Sequence, residues 1–104
     1  MRGKVAHYRR ILQLFVDGHG DDVGQLTALI GRGDLPAAEK LAHALKGAAG
    51  SIGATAIFAL TDELDQALKQ GAGAAAQAAL VTLAARLPAM IAALQLVLAD
   101  GRDS

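Results

Sequence analysis

Glycines break this chain into five stretches, and within each stretch apolar residues recur three and four positions apart, the spacing of one face of an α-helix. The breaks fall at Gly18–Gly20, Gly31–Gly33, near Gly53 and at Gly71–Gly73, which predicts helices over about 4–16, 21–31, 35–51, 54–70 and 74–99. No segment carries a strand signal. A composition that is 53% hydrophobic but only 3% aromatic, rich in alanine and leucine, suits close-packed helices rather than sheets. With such short connections, successive long helices must run antiparallel. The expectation is a single all-α domain over residues 1–104: an antiparallel up-down four-helix bundle with an additional short N-terminal helix packed across one end.

The first helix places Val5, Leu12, Phe15 and Val16 along one side, with Arg9 and Arg10 facing away, and the second spaces Val23, Leu26 and Ile30 behind two acidic residues in its first turn, where the helix dipole favours them. Asp34 is the expected N-cap of the third helix, and Pro36 is tolerated in its first turn. Ile57, Leu60, Leu64 and Leu68 form the stripe of the fourth. In the fifth, Leu80, Leu83, Leu87, Ile91, Leu94 and Leu98 approach a heptad, while Pro88 removes a backbone hydrogen bond and is expected to kink the helix. The stretch from Leu80 to Leu98 nears membrane-span length but is interrupted by Arg86, Pro88 and Gln95, so it reads as a packed helix, not an inserted one.

Ten basic and ten acidic residues cancel, and no run of Lys or Arg forms a stripe for a phosphate backbone, so nucleic acid is not an expected partner. The N-terminus does not have the pattern of a signal peptide, and the lack of cysteine is compatible with a reducing compartment. The expected location is the cytoplasm, either free or tethered through a larger membrane-bound protein.

The informative residue lies on the third helix. At about 100° per residue, with His43 at zero, Leu41, Leu45 and Ile52 fall opposite it with Ala38, Ala48 and Ala49 beside them, so His43 should face water rather than the core. Glu39, Lys46, Gly47 and Gly50 lie within about 60° of it on the same face. Each of the two mid-helix glycines costs about 1 kcal/mol relative to alanine. Their presence beside one histidine implies that something approaches the backbone there: a phosphoryl group, a docking partner or a crossing helix. Imidazole is a neutral nucleophile near pH 7, and a phosphoryl group on it would add close to two negative charges. Lys46, three residues on, is placed to neutralise them by a charge-assisted hydrogen bond.

The run His43-Ala44-Leu45-Lys46-Gly47-Ala48-Ala49-Gly50-Ser51-Ile52-Gly53 resembles the signature of histidine-containing phosphotransfer (HPt) domains: histidine, one residue, an aliphatic, lysine, glycine and a further glycine shortly beyond. Tyr8-Arg9-Arg10-Ile11-Leu12-Gln13-Leu14-Phe15 is similar to the first helix of HPt domains at the C-terminus of hybrid sensor kinases, which implies a domain excised from such a histidine kinase. The resemblance implies a phosphorelay intermediate that accepts a phosphoryl group on the outer ring nitrogen of His43 from one receiver-domain aspartate and passes it to another, with Lys46 assisting the phosphate and Gly47 keeping the site open. It also implies a polar residue twenty-two positions on that holds the inner ring nitrogen. Asp65 stands there, shorter than the Gln or Glu the pattern favours, and the wheel puts it at the border of the core stripe.

The expected partners are receiver domains of response regulators or of a hybrid kinase, docking on Pro36, Glu39, Lys40, His43, Lys46, Gly47 and Gly50. The resemblance implies that the receiver brings Mg²⁺, so no cofactor or metal is assigned to this chain. Nothing resembles a nucleotide-binding loop, so the domain is read as a monomeric phosphocarrier and not as an ATP-dependent enzyme. His7 and His19 stand at no metal-ligand spacing to His43 and are expected to be surface residues. A metal- or cofactor-binding bundle would need several inward His or Glu residues, such as a Glu-x-x-His pair, and the chain has none. The alternative is an unphosphorylated helical interaction or dimerisation module built on the heptad-like last helix.

Overall fold

The computed structural model describes residues 2–99, with side chains described from residue 6 onward. Five helices follow one another: α1 (Arg2–His19), α2 (Asp22–Gly31), α3 (Leu35–Ser51), α4 (Thr55–Lys69) and α5 (Gly73–Ala99), with no strand among the described residues. The three corners between α2 and α5 share one device. Gly33, Gly53 and Gly71, at φ of 77°, 75° and 67°, each follow the last helical cap, and the next residue's N–H reaches back to the sixth carbonyl of the closing turn: Asp34 to Leu29, Ala54 to Ala49 and Ala72 to Ala67, all at 2.9 Å. These are Schellman closures, which glycine makes without the Cβ penalty of a left-handed residue. At the start of α3, the Asp34 carboxylate accepts from the Ala37 N–H at 3.4 Å, with Pro36 in the first turn as the sequence implied.

α2 touches α3 and α5, and α4 touches the same two, which closes a four-helix ring. Leu26, Leu45, Leu64 and Leu83, one from each of these helices, are fully buried at its centre. Ala38, Ala42, Ala49, Ala67, Ala76 and Ala79 surround them, and such small side chains let helix axes approach closely. The bundle is slender, with principal extents of 48 × 19 × 19 Å.

Two expectations are corrected. α1 is not short: it runs 18 residues, through Gly18 to His19, and lies against α5 and α3, burying Leu12, Phe15 and Val16; Val5 lies outside the described side chains. Arg9 does not face away, because its guanidinium donates to Leu98 O at 2.8 Å and Val97 O at 3.4 Å, two carbonyls of the last described turn of α5. α5 runs unbroken through Pro88; Pro88 and Ala84, whose carbonyl loses its usual donor, are both exposed, so water can satisfy that oxygen. By length and mean hydropathy (1.8 over 18 residues) α5 could cross a membrane, yet its Leu80, Leu83, Leu87 and Ile91 are core residues of the bundle.

His19 is a half-buried residue, against the expectation of an ordinary surface position. Its Nδ1 is hydrogen-bonded to Asp22 Oδ2 at 2.6 Å, and its ring lies 5.3 Å from that of Phe15, so the pair ties the end of α1 to the start of α2. Burial raises the Asp22 carboxyl above its ordinary value of 3.8, with the His19 hydrogen bond opposing the shift. The folded state therefore holds this proton to higher pH than the unfolded chain. The contribution to stability is present below 3.8 and is lost as pH rises through the folded-state value. Comparing thermal unfolding of the wild type with Asp22→Asn from pH 3 to 7 should show the wild type losing ground as pH rises and then levelling; a constant difference would contradict this.

Candidate functional site

On α3 the buried positions are Ala38, Ala42, Leu45 and Ala49, with Leu41, Ala48 and Ile52 only half-buried. The core stripe is thus turned by about 50° from the direction that the large residues suggested, toward Ala42 and α4. His43 remains on the outside and is exposed. The rotation matters more for Lys46, which is drawn to the seam between α3 and α4, where its side chain is 19% exposed.

Across that seam, Lys46 Nζ donates to Asp62 Oδ1 at 3.3 Å and stands 3.5 Å from Asp65 Oδ2. Lys69, one turn further along α4, donates to the same Asp65 oxygen at 3.0 Å. Asp65 is fully buried, not merely at the border of the core, and its Oδ1 has no hydrogen-bond partner among the described residues. The hydrogen bond to Asp62, aided by the charges of Asp62 and Asp65, outweighs desolvation and holds the Lys46 ammonium above its ordinary value, so it stays charged at neutral pH.

The two glycines of the site face differ. A Cβ at Gly47 would meet nothing within 4 Å: its backbone lies open beside His43, and its carbonyl accepts from the Ser51 hydroxyl at 3.1 Å. A Cβ at Gly50 would stand 3.4 Å from the ring of Phe58, which arrives from α4, so at Gly50 the crossing helix is the neighbour and at Gly47 the space is free. Pro36 and Lys40 are exposed on the same helix and Glu39 is half-buried, so all the expected docking positions reach the surface at least in part. No group of three His, Asp or Glu side chains among the described residues could hold a metal ion, and His7 is exposed.

Asp62, Lys69 and Phe58 were not singled out from the sequence. Their signal is the spacing 58, 62, 65, 69 along one stripe of α4, the stripe that faces the histidine helix.

A model of the Hpt domain family matches residues 10–96, from the second half of α1 almost to the end of α5. The chain belongs to the HPt family. HPt domains have a phosphotransfer role in two-component signalling, act as phosphocarriers rather than as catalytic enzymes, and interact with receiver domains in phosphorelays. No curated protein and no solved structure matches the chain. The all-α bundle agrees with this family.

Proposed function

We propose that His43 is the phosphoacceptor of this HPt domain, taking a phosphoryl group from an aspartyl phosphate on one receiver domain and passing it to the aspartate of another. The observation that carries this reading is an exposed imidazole in the middle of α3, with the Lys46 ammonium one turn on and the open backbone of Gly47 beside it. In the accepting step the lone pair on the outer nitrogen, Nε2, forms the N–P bond as the P–O bond to the aspartate breaks. The aspartate leaves as a carboxylate, while the inner nitrogen, Nδ1, keeps its proton. Donation to the next receiver is the reverse.

Such transfer needs in-line geometry and neutralisation of the equatorial oxygens, and little covalent work from the protein. Lys46 supplies a cation, and the receiver is assigned both the aspartate that gives or takes the phosphoryl group and Mg²⁺. By the resemblance Asp65 would hold the inner N–H; in the structure its Oδ2 faces Lys46 and Lys69 and its Oδ1 has no partner among the described residues, which leaves an acceptor to be satisfied. By its resemblance at residues 8–15, the domain would work downstream of a hybrid sensor kinase.

The reading is tested by offering a radiolabelled phosphorylated receiver domain to the wild type and to His43→Gln. Label should pass to the wild type and not to the variant; equal labelling of both would refute the assignment.

A further inference from the structure

The four charged groups along the α3–α4 seam are arranged unevenly. Among the described residues, Asp65, with no exposure, is served by two lysines, whereas Asp62, 44% exposed, is served by Lys46 alone. Two carboxylates balance two ammonium groups before any phosphoryl group arrives. A phosphoryl group on His43 adds close to two negative charges at pH 7, one helical turn from Lys46. Lys46 cannot turn fully to it while donating to Asp62.

The cost of moving Lys46 differs between its two partners. A carboxylate stripped of its only cation in a buried position is strongly unfavourable, but Asp65 keeps Lys69 at 3.0 Å when Lys46 leaves. Asp62 is exposed enough for water to take over from the lysine, as at an ordinary surface pair.

Building on the assignment of His43, we propose that Asp62 is a positioning residue that competes with the phosphoryl group for Lys46, and that Lys69 is the standby counterion that frees Lys46 to make the exchange. Asp62 thereby limits how firmly the phosphohistidine is held, which keeps the phosphoryl group ready to leave for the next receiver. Lys69 works in the opposite sense. Without it, Lys46 is bound to its duty at Asp65.

The experiment is the partition of radiolabel at equilibrium between this protein and the receiver domain that labels it, at concentrations where the two are mostly unbound, so that docking strength does not enter. Asp62→Asn should shift the partition toward phosphohistidine by about two- to fivefold, the range expected of a partly exposed ion pair. Lys69→Met should shift it toward the receiver. In a Lys46→Met background, Asp62→Asn should have no effect, because its influence passes through the lysine. An Asp62→Asn effect that survives in that background would overturn the proposal in favour of a direct field, and an unchanged partition with only a lowered melting temperature would overturn it in favour of a structural role. Failure of the underlying assignment reads differently: the wild type takes no label, or His43→Gln takes it equally.

Discussion

Leucine at Gly47 should leave the bundle as stable as the wild type or firmer, and should slow phosphotransfer from a receiver by on the order of a hundredfold. The two halves of this expectation have separate causes. Glycine in a helix interior is about 1 kcal/mol less favourable than a good helix former, and a side chain here meets nothing within 4 Å, so folding gains without a clash. The same empty space is where a receiver must bring its aspartate into line with His43, and displacing a reacting group by about 1 Å can cost about a hundredfold in rate. Alanine at this position should fall between the two. Melting curves and the initial rate of labelling check both halves, and undiminished labelling of the leucine variant would show that no partner needs this gap.

Truncating Leu64 to alanine should cost about 3–5 kcal/mol, measured by urea unfolding. Leu64 is fully buried in α4, in the same close-packed core as the central leucines of the other three helices of the ring, so the side chains around it have little freedom to collapse into the cavity. Against the roughly 5–15 kcal/mol that hold most domains together, this is a large fraction. A loss below about 1 kcal/mol would mean that the bundle collapses around the vacancy far more readily than a close-packed core permits.

The corners of the fold were legible because glycine at Gly33, Gly53 and Gly71 does something that no other residue does as cheaply, and the cap at Asp34 and the exposure of His43 followed from equally local rules. The rotation of α3 was not legible. Leucines and Ile52 pointed one way, but the close approach of α4 is set by Ala38, Ala42 and Ala49, whose methyl groups carry little weight on a helical wheel and much weight in deciding how near two axes can come. The seam of Lys46, Asp62, Asp65 and Lys69 stayed hidden for a related reason: pairing across two helices depends on their register, which no single helix encodes. Arg9 was misread because the carbonyls that attract it belong to residues 88 and 89 positions away.

That last contact sets an order for assembly. Three of the ring's four contacts, α2 with α3, α3 with α4 and α4 with α5, join neighbours through tight corners that close at little entropic expense, whereas α1 reaches its seat on α5 across a still longer stretch of chain than the one that brings α2 to α5. α1 is therefore the natural last piece to dock and the first to peel away. Amide protons of α1 should exchange with deuterium ahead of those in the ring, and loss of the final turn of α5 would set the opening helix adrift while leaving the histidine-bearing hairpin folded.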